Sequence, residues 1–130
     1  MRNAGIEMRG QVSAQDFAGR VVIVTGAWRG LGRAAAERFH ERGAAVAVNV
    51  RDRARAEDLA KSIGERVLAA LGDLTVVGVA QEIVRMTIER FGRLDIIVNN
   101  AALALSTRFA DLTPDEWRAA LEVNLTAPFC

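Results

Sequence analysis

Gly26, Gly30 and Gly32 follow the apolar run Val21–Val24 and open an alanine-rich stretch containing Ala34, Ala35 and Ala36. At such a junction the first glycine permits a tight turn, the second lets a bound group approach the backbone, and the third lets helix and strand pack closely. Amides at a helix start lack partners within the helix, and the helix dipole favours an anion there. A diphosphate is the ligand such a turn suits. The phosphate-binding loop of nucleotide hydrolases is excluded, because it needs Lys and then Ser or Thr after its second glycine. Here Leu31 follows Gly30 and Arg33 follows Gly32. The remaining alternative is a glycine turn that only shortens a strand-to-helix connection.

The elements that would position this turn are legible as alternating patterns. Val21–Val24, Ala44–Val50, Val67–Leu71 and Leu94–Val98 read as buried strands. The segments between them read as helices. Leu31, Ala34, Ala35 and Phe39 share one helical face, as do Val76, Val79, Ala80, Ile83, Val84, Thr87, Ile88 and Phe91, while Arg53–Ile63 is a weaker helix. Gly43, Gly64 and Gly92 fall near helix ends. Thr113-Pro114-Asp115-Glu116 combines an N-cap, a first-turn proline and a capping-box glutamate, predicting a helix that buries Trp117, Ala120 and Leu121. Strand alternating with helix predicts an α/β domain with a parallel sheet and right-handed crossovers.

Composition narrows the function classes. The 130 residues suffice for one domain, expected to span 19–130 behind a tail at 1–18, mobile before Asp16. A formal net charge of +1 gives no bias toward nucleic acid. The single cysteine, Cys130, precludes an internal disulfide and points to a reducing, cytoplasmic setting. The sequence offers no signal-peptide core and no membrane-length apolar run, so no membrane partner is expected. No metal site is expected. His40, in the last turn of the first predicted helix, suits the helix dipole rather than catalysis, and Cys130 has no neighbouring base that would make it a nucleophile.

Four segments in order, Thr25-Gly26-x-x-x-Gly30-x-Gly32, Asp73-Leu74, Asn99-Asn100-Ala101 and Val123-Asn124-Leu125, resemble the motifs of the short-chain dehydrogenase/reductase family. The nearest general flavour is that of the 3-oxoacyl-carrier-protein reductases. The resemblance implies a Rossmann-like doubly wound parallel sheet of order 3-2-1-4. It also implies a nicotinamide dinucleotide held by Thr25, Gly26, Arg29, Gly30, Leu31, Gly32, Arg51, Asp73, Leu74, Asn99 and Ala101, with Asp73 beside the adenine, and Asn124 as a catalytic asparagine. Local alternatives stand beside three of these: Asp73 capping the next helix, Asn99 pinning neighbouring turns, and Asn124 bonding local backbone within its helix.

Cofactor choice turns on Asn49-Val50-Arg51-Asp52. A carboxylate at the end of the second strand accepts from the ribose 2′-hydroxyl of NAD and repels the 2′-phosphate of NADP; a guanidinium does the reverse. Val50 stands where NAD-preferring members of the family place an acid, and Arg51 with Arg29 can clamp the extra phosphate, so NADP is the expected cofactor. Solvated arginines are the alternative, and an inward-turned Asp52 would restore NAD. Two departures from the family pattern are Trp28, where small residues are usual, and Ala102, where a glycine is usual.

The family's catalytic tyrosine, and the lysine four positions after it, have no counterpart here: the sequence contains no tyrosine and its one lysine, Lys61, lies in the second connecting helix. The resemblance therefore implies the cofactor-binding half of a reductase, truncated after about four strands and inactive alone. The whole parent would act on a small carbonyl or alcohol substrate, as a homo-oligomer. The fourth strand would be an apolar edge, making the isolated chain marginal or sticky. The alternative is a stand-alone nucleotide-binding or assembly module without chemistry.

Overall fold

A computed structural model describes residues 15–130. Strand β1 (Val21–Val24) is central and wholly buried, as a run of β-branched side chains covered on both faces must be. It pairs in parallel with β2 (Ala45–Val50) and with β4 (Ile96–Val98), and β2 pairs in parallel with β3 (Val67–Leu71). The order is β3-β2-β1-β4, as expected. Helices α1 (Gly30–Glu41), α2 (Arg53–Ile63) and α3 (Val79–Phe91) connect the strands in turn. Strand alternation divides the core. Val22, Val24, Val46 and Val48 face Ala36, Ala56 and Leu59, while Ile23, Ala47 and Ala70 face Ile83 on the other side. This is the Rossmann-like, doubly wound arrangement, with the glycine turn at the carboxyl end of its central strand.

Several boundaries and faces differ from expectation. The face of α1 is set by Gly32 and Ala36, with Ala35 and Phe39 half-buried; Leu31 is 84% exposed and Ala34 points outward. Counting the period from Gly32 rather than Leu31 accounts for this. Val76 precedes α3 and is exposed, and Ile88 is partly exposed, leaving Ile83 and Thr87 as the buried ridge. Helix α4 (Pro114–Leu121) has the predicted capping box, yet no residue in it is buried, and Trp117 is 52% exposed. An apolar stripe is buried only where another element covers it. Gln15–Ala18 also leave the predicted tail, whose first 14 residues lie outside those described. Phe17 packs edge-on against Phe39 at 4.8 Å, its N–H donates to the Arg42 carbonyl at 3.0 Å, and Asp16 pairs with Arg42.

Strand β4 is shorter than predicted because Leu94 packs into the α3-side core and Asp95 clasps the start of β1. The Asp95 carboxylate accepts from Arg93 at 2.5 Å, from the Val21 N–H at 2.9 Å and from Arg20 at 3.1 Å. Led by the Arg93 bond, these hold its pKa down to about 2. A depressed folded-state pKa means the clasp contributes fully above the ordinary carboxylate value of about 3.9 and is lost as pH falls through the folded value. Chemical denaturation across acid pH should therefore show wild type losing stability between about pH 4 and pH 2 relative to Asp95→Asn. Parallel pH profiles for the two proteins would contradict that assignment.

Candidate cofactor-binding site

The glycine turn is built around a buried hydroxyl. Thr25 Oγ1 donates to the Val98 carbonyl at 3.2 Å and accepts the Asn100 and Ala101 N–H groups, each at 3.0 Å. The Asn100 amide donates to the carbonyls of Thr25 at 2.9 Å and Gly26 at 3.1 Å. The end of β4 is thereby stitched onto the end of β1. Glycine is required where these chains touch: a Cβ on Gly32 would lie 2.3 Å from Asn100 Nδ2 and 2.7 Å from the Gly26 carbonyl. Gly30 has φ +59° and opens onto free space. Arg29 stands extended at the N-cap, and among the described residues no side chain caps α1, so the amides of its first turn remain available to a ligand.

From this turn a groove of about 940 Å³ crosses the carboxyl ends of the strands. Its volume suits a large ligand. The turn contributes Gly26, Arg29, Gly30 and Leu31 along with Trp28; the end of β2 contributes Arg51; the β3–α3 connection contributes Asp73 and Leu74; the end of β4 contributes Ala101. Thr25, Gly32 and Asn99, also expected as contacts, do not line it. Gly32 is buried under Asn100, while Thr25 and Asn99 border a small cleft of about 110 Å³ on the opposite side. Successive residues at a strand end face opposite ways, so Asn100 meets the groove and Asn99 does not. Asn100, Arg55, Thr75, Leu103 and Val123 line the groove as well, beyond the residues expected there. Only the two-residue alternation and the first-turn spacing of α2 carried a signal for the first two.

Charge is concentrated beyond the end of β2. Arg51 and Asp73 stand 3.9 Å apart, both with substantial exposure, so their attraction is weak. The backbone N–H of Thr75, bonded at 3.0 Å, and its hydroxyl at 2.7 Å, hold the Asp73 carboxyl below the usual carboxylate range. Asp73 thus closes a local turn. It does not cap α3, which starts at Val79 behind Gly78. Asp52 caps α2 instead, accepting the Arg55 N–H at 2.9 Å.

The sequence profile described as short chain dehydrogenase matches residues 20–130. The chain belongs to the short-chain dehydrogenase family. Among its relatives are an uncharacterized oxidoreductase of Thermotoga maritima, 38% identical over 88% of this chain and 46% of the relative. Another is a subunit of (2S)-[(R)-hydroxy(phenyl)methyl]succinyl-CoA dehydrogenase of Thauera aromatica, 36% identical over 85% of this chain and 46% of the relative. A solved 3-ketoacyl-(acyl-carrier-protein) reductase from Brucella melitensis, in complex with NADH, superposes with a TM-score of 0.82 at 34% identity. It matches 87% of this chain and 47% of that one. The chain spans about half the length of these relatives.

Within this short-chain dehydrogenase fold, the two departures at the groove are accommodated. Ala102 is exposed on the groove wall, and Trp28 is half-buried at its rim, with the groove open beside it. Asn124 lies in a π-helical turn, Glu122–Thr126, that continues α4. Its Oδ1 accepts the Leu103 N–H at 2.8 Å and its Nδ2 donates to the Leu103 carbonyl at 3.0 Å. The alternative of purely local bonding is overturned, because the partner lies 21 residues away. A π-turn offsets the side chain from the regular helical face, and such turns gather at functional sites.

Proposed function

We propose that the chain is the NADP(H)-binding half of an oxidoreductase acting between a carbonyl and an alcohol. The observation that carries this reading is the groove itself: glycines at one end, uncapped amides at the start of α1, and the guanidinium groups of Arg29, Arg51 and Arg55 beside only two carboxylates among the described residues, Asp52 and Asp73, near the end of β2. The residues present fit the dinucleotide. Gly26, Gly30 and Leu31 would border its diphosphate, Asp73 and Leu74 its adenine, and Arg29 and Arg51 its ribose 2′-phosphate. When bound, the nicotinamide supplies the hydride-carrying centre. Val50 adds no charge, and the Asp52 carboxylate is engaged in capping α2, which weighs against its use by a ribose hydroxyl.

Asn124 ties the segment after β4 to the π-turn, which keeps Ala101 to Leu103 along the groove. One lone pair and one N–H of its amide remain for a water-mediated proton relay. The chain has no tyrosine to transfer a proton, so it does not itself turn over a carbonyl substrate.

The test is a thermal melt of the chain with each cofactor. At 100 times its dissociation constant a ligand specific to the folded state stabilises it by about 2.7 kcal/mol. At equal concentrations NADPH should raise the midpoint more than NADH does. A larger shift with NADH overturns the NADP assignment, and no shift with either favours an assembly module that binds no nucleotide.

A further inference from the structure

We propose that Arg55, held against the ring of Trp28, is a specificity-determining residue that meets the cofactor's 2′-phosphate from α2; this rests on the NADP reading given above. Arg55 lines the same groove as Arg29 and Arg51, but from the first turn of a helix rather than from either loop. Its guanidinium carbon lies 5.2 Å from the centre of the Trp28 ring, within cation–π range.

Three features set this residue apart from an ordinary surface arginine. First, the opening turn of α2 contains no acid and carries Arg53 and Arg55, cations at the positive end of the helix dipole. Arg53 is offset by Glu57 at 3.7 Å, whereas among the described residues Arg55 has no carboxylate partner. Second, the nearby acid is committed elsewhere: Asp52 accepts the backbone N–H of Arg55 itself at 2.9 Å. Third, the interaction gives a role to the large ring of Trp28, which lies between the glycines Gly26 and Gly30 of the turn. Its ring packs against the core between the sheet and helices α1 and α2 and borders the groove, so it fixes a guanidinium there. Attraction to an aromatic face consumes none of the five N–H donors, which stay free for a phosphate. Together Arg29, Arg51 and Arg55 surround the end of β2 with positive charge that is only partly answered, by Asp73 at 3.9 Å from Arg51 and by the Asp52 carboxylate that caps α2. A phosphate monoester on the ribose is the group that supplies the missing negative charge.

The experiment is calorimetric titration of the full chain, and of Arg55→Ala, Arg55→Gln, Trp28→Leu and Trp28→Phe, with NADPH and separately with NADH. The readout is the ratio of the two affinities. Both Arg55 variants should lower the NADPH-to-NADH ratio by roughly tenfold or more, since each removes a charged hydrogen-bond donor. Trp28→Leu should lower it by about two- to fivefold, and Trp28→Phe by less, following the weaker ring quadrupole. Arg55→Gln keeps part of the side-chain stem, so a loss shared with Arg55→Ala is not one of packing alone. A wild-type preference for NADPH that both Arg55 variants leave intact overturns this proposal alone, as does an equal weakening of both cofactors. A wild type that favours NADH, or binds neither, overturns it together with the reading on which it rests.

Discussion

Gly26→Ala is expected to cost the chain about 3 kcal/mol or more, combining left-handed backbone strain with a steric collision. Gly26 has φ +61°, and a Cβ there would lie 2.8 Å from the Ala101 Cα and 3.1 Å from its nitrogen. The obstacle is backbone, not the tip of a flexible side chain. Ala101 is itself fixed by its N–H bond to Thr25 Oγ1 at 3.0 Å, so moving it away strains the stitch between β1 and β4. For a domain whose whole stability is typically 5–15 kcal/mol, the loss is large. Urea denaturation followed by circular dichroism measures it. A loss below about 1 kcal/mol would show that the two strand ends separate at little cost, contrary to the rigidity ascribed to the turn.

Val50→Asp should shift cofactor preference toward NADH, lowering the NADPH-to-NADH affinity ratio by about a hundredfold. Val50 ends β2, borders the groove and is 7% exposed. A carboxylate at that point would repel a ribose 2′-phosphate and accept from a ribose 2′-hydroxyl, so two effects of opposite sign on the two cofactors multiply in the ratio. The substitution also places an acid in a largely buried position, which lowers stability irrespective of ligand. Reading the ratio by calorimetry, rather than one affinity, separates these effects. An unchanged ratio would mean that the ribose lies elsewhere.

Much of the fold was legible because its signals are local and periodic. The limits of β1 and β3 follow from apolar runs bounded by breakers, those of α2 agree with Asp52 and Gly64 at its two ends, and the Thr113–Glu116 capping box starts α4 as its residue types require. The misses share a cause: burial depends on what lies opposite. Nothing in the spacing of Trp117 and Leu121 says whether a partner covers them, and Leu31 reads as core until Gly32 is placed against Asn100.

The site shows the same division. The glycine turn and Arg51 were visible as types at spacings, whereas Asn100 needed the direction of a strand end, and Arg55 needed the approach of α2 to Trp28. Asn99 and Asn100 are indistinguishable by type and spacing until the pleat assigns them to different sides. Asn124 drew attention by its motif, but its bonds to Leu103 follow only from tertiary packing.

The central claim, that a dinucleotide diphosphate lies on the amides opening α1, is tested most directly by following backbone amide resonances of the labelled chain as NADPH is added. The largest shifts are predicted at Gly26, Gly30 and Leu31, with smaller ones at Arg51 and Leu74. Saturable binding that leaves the Gly30 and Leu31 amides unmoved, or no binding at all, would contradict the account.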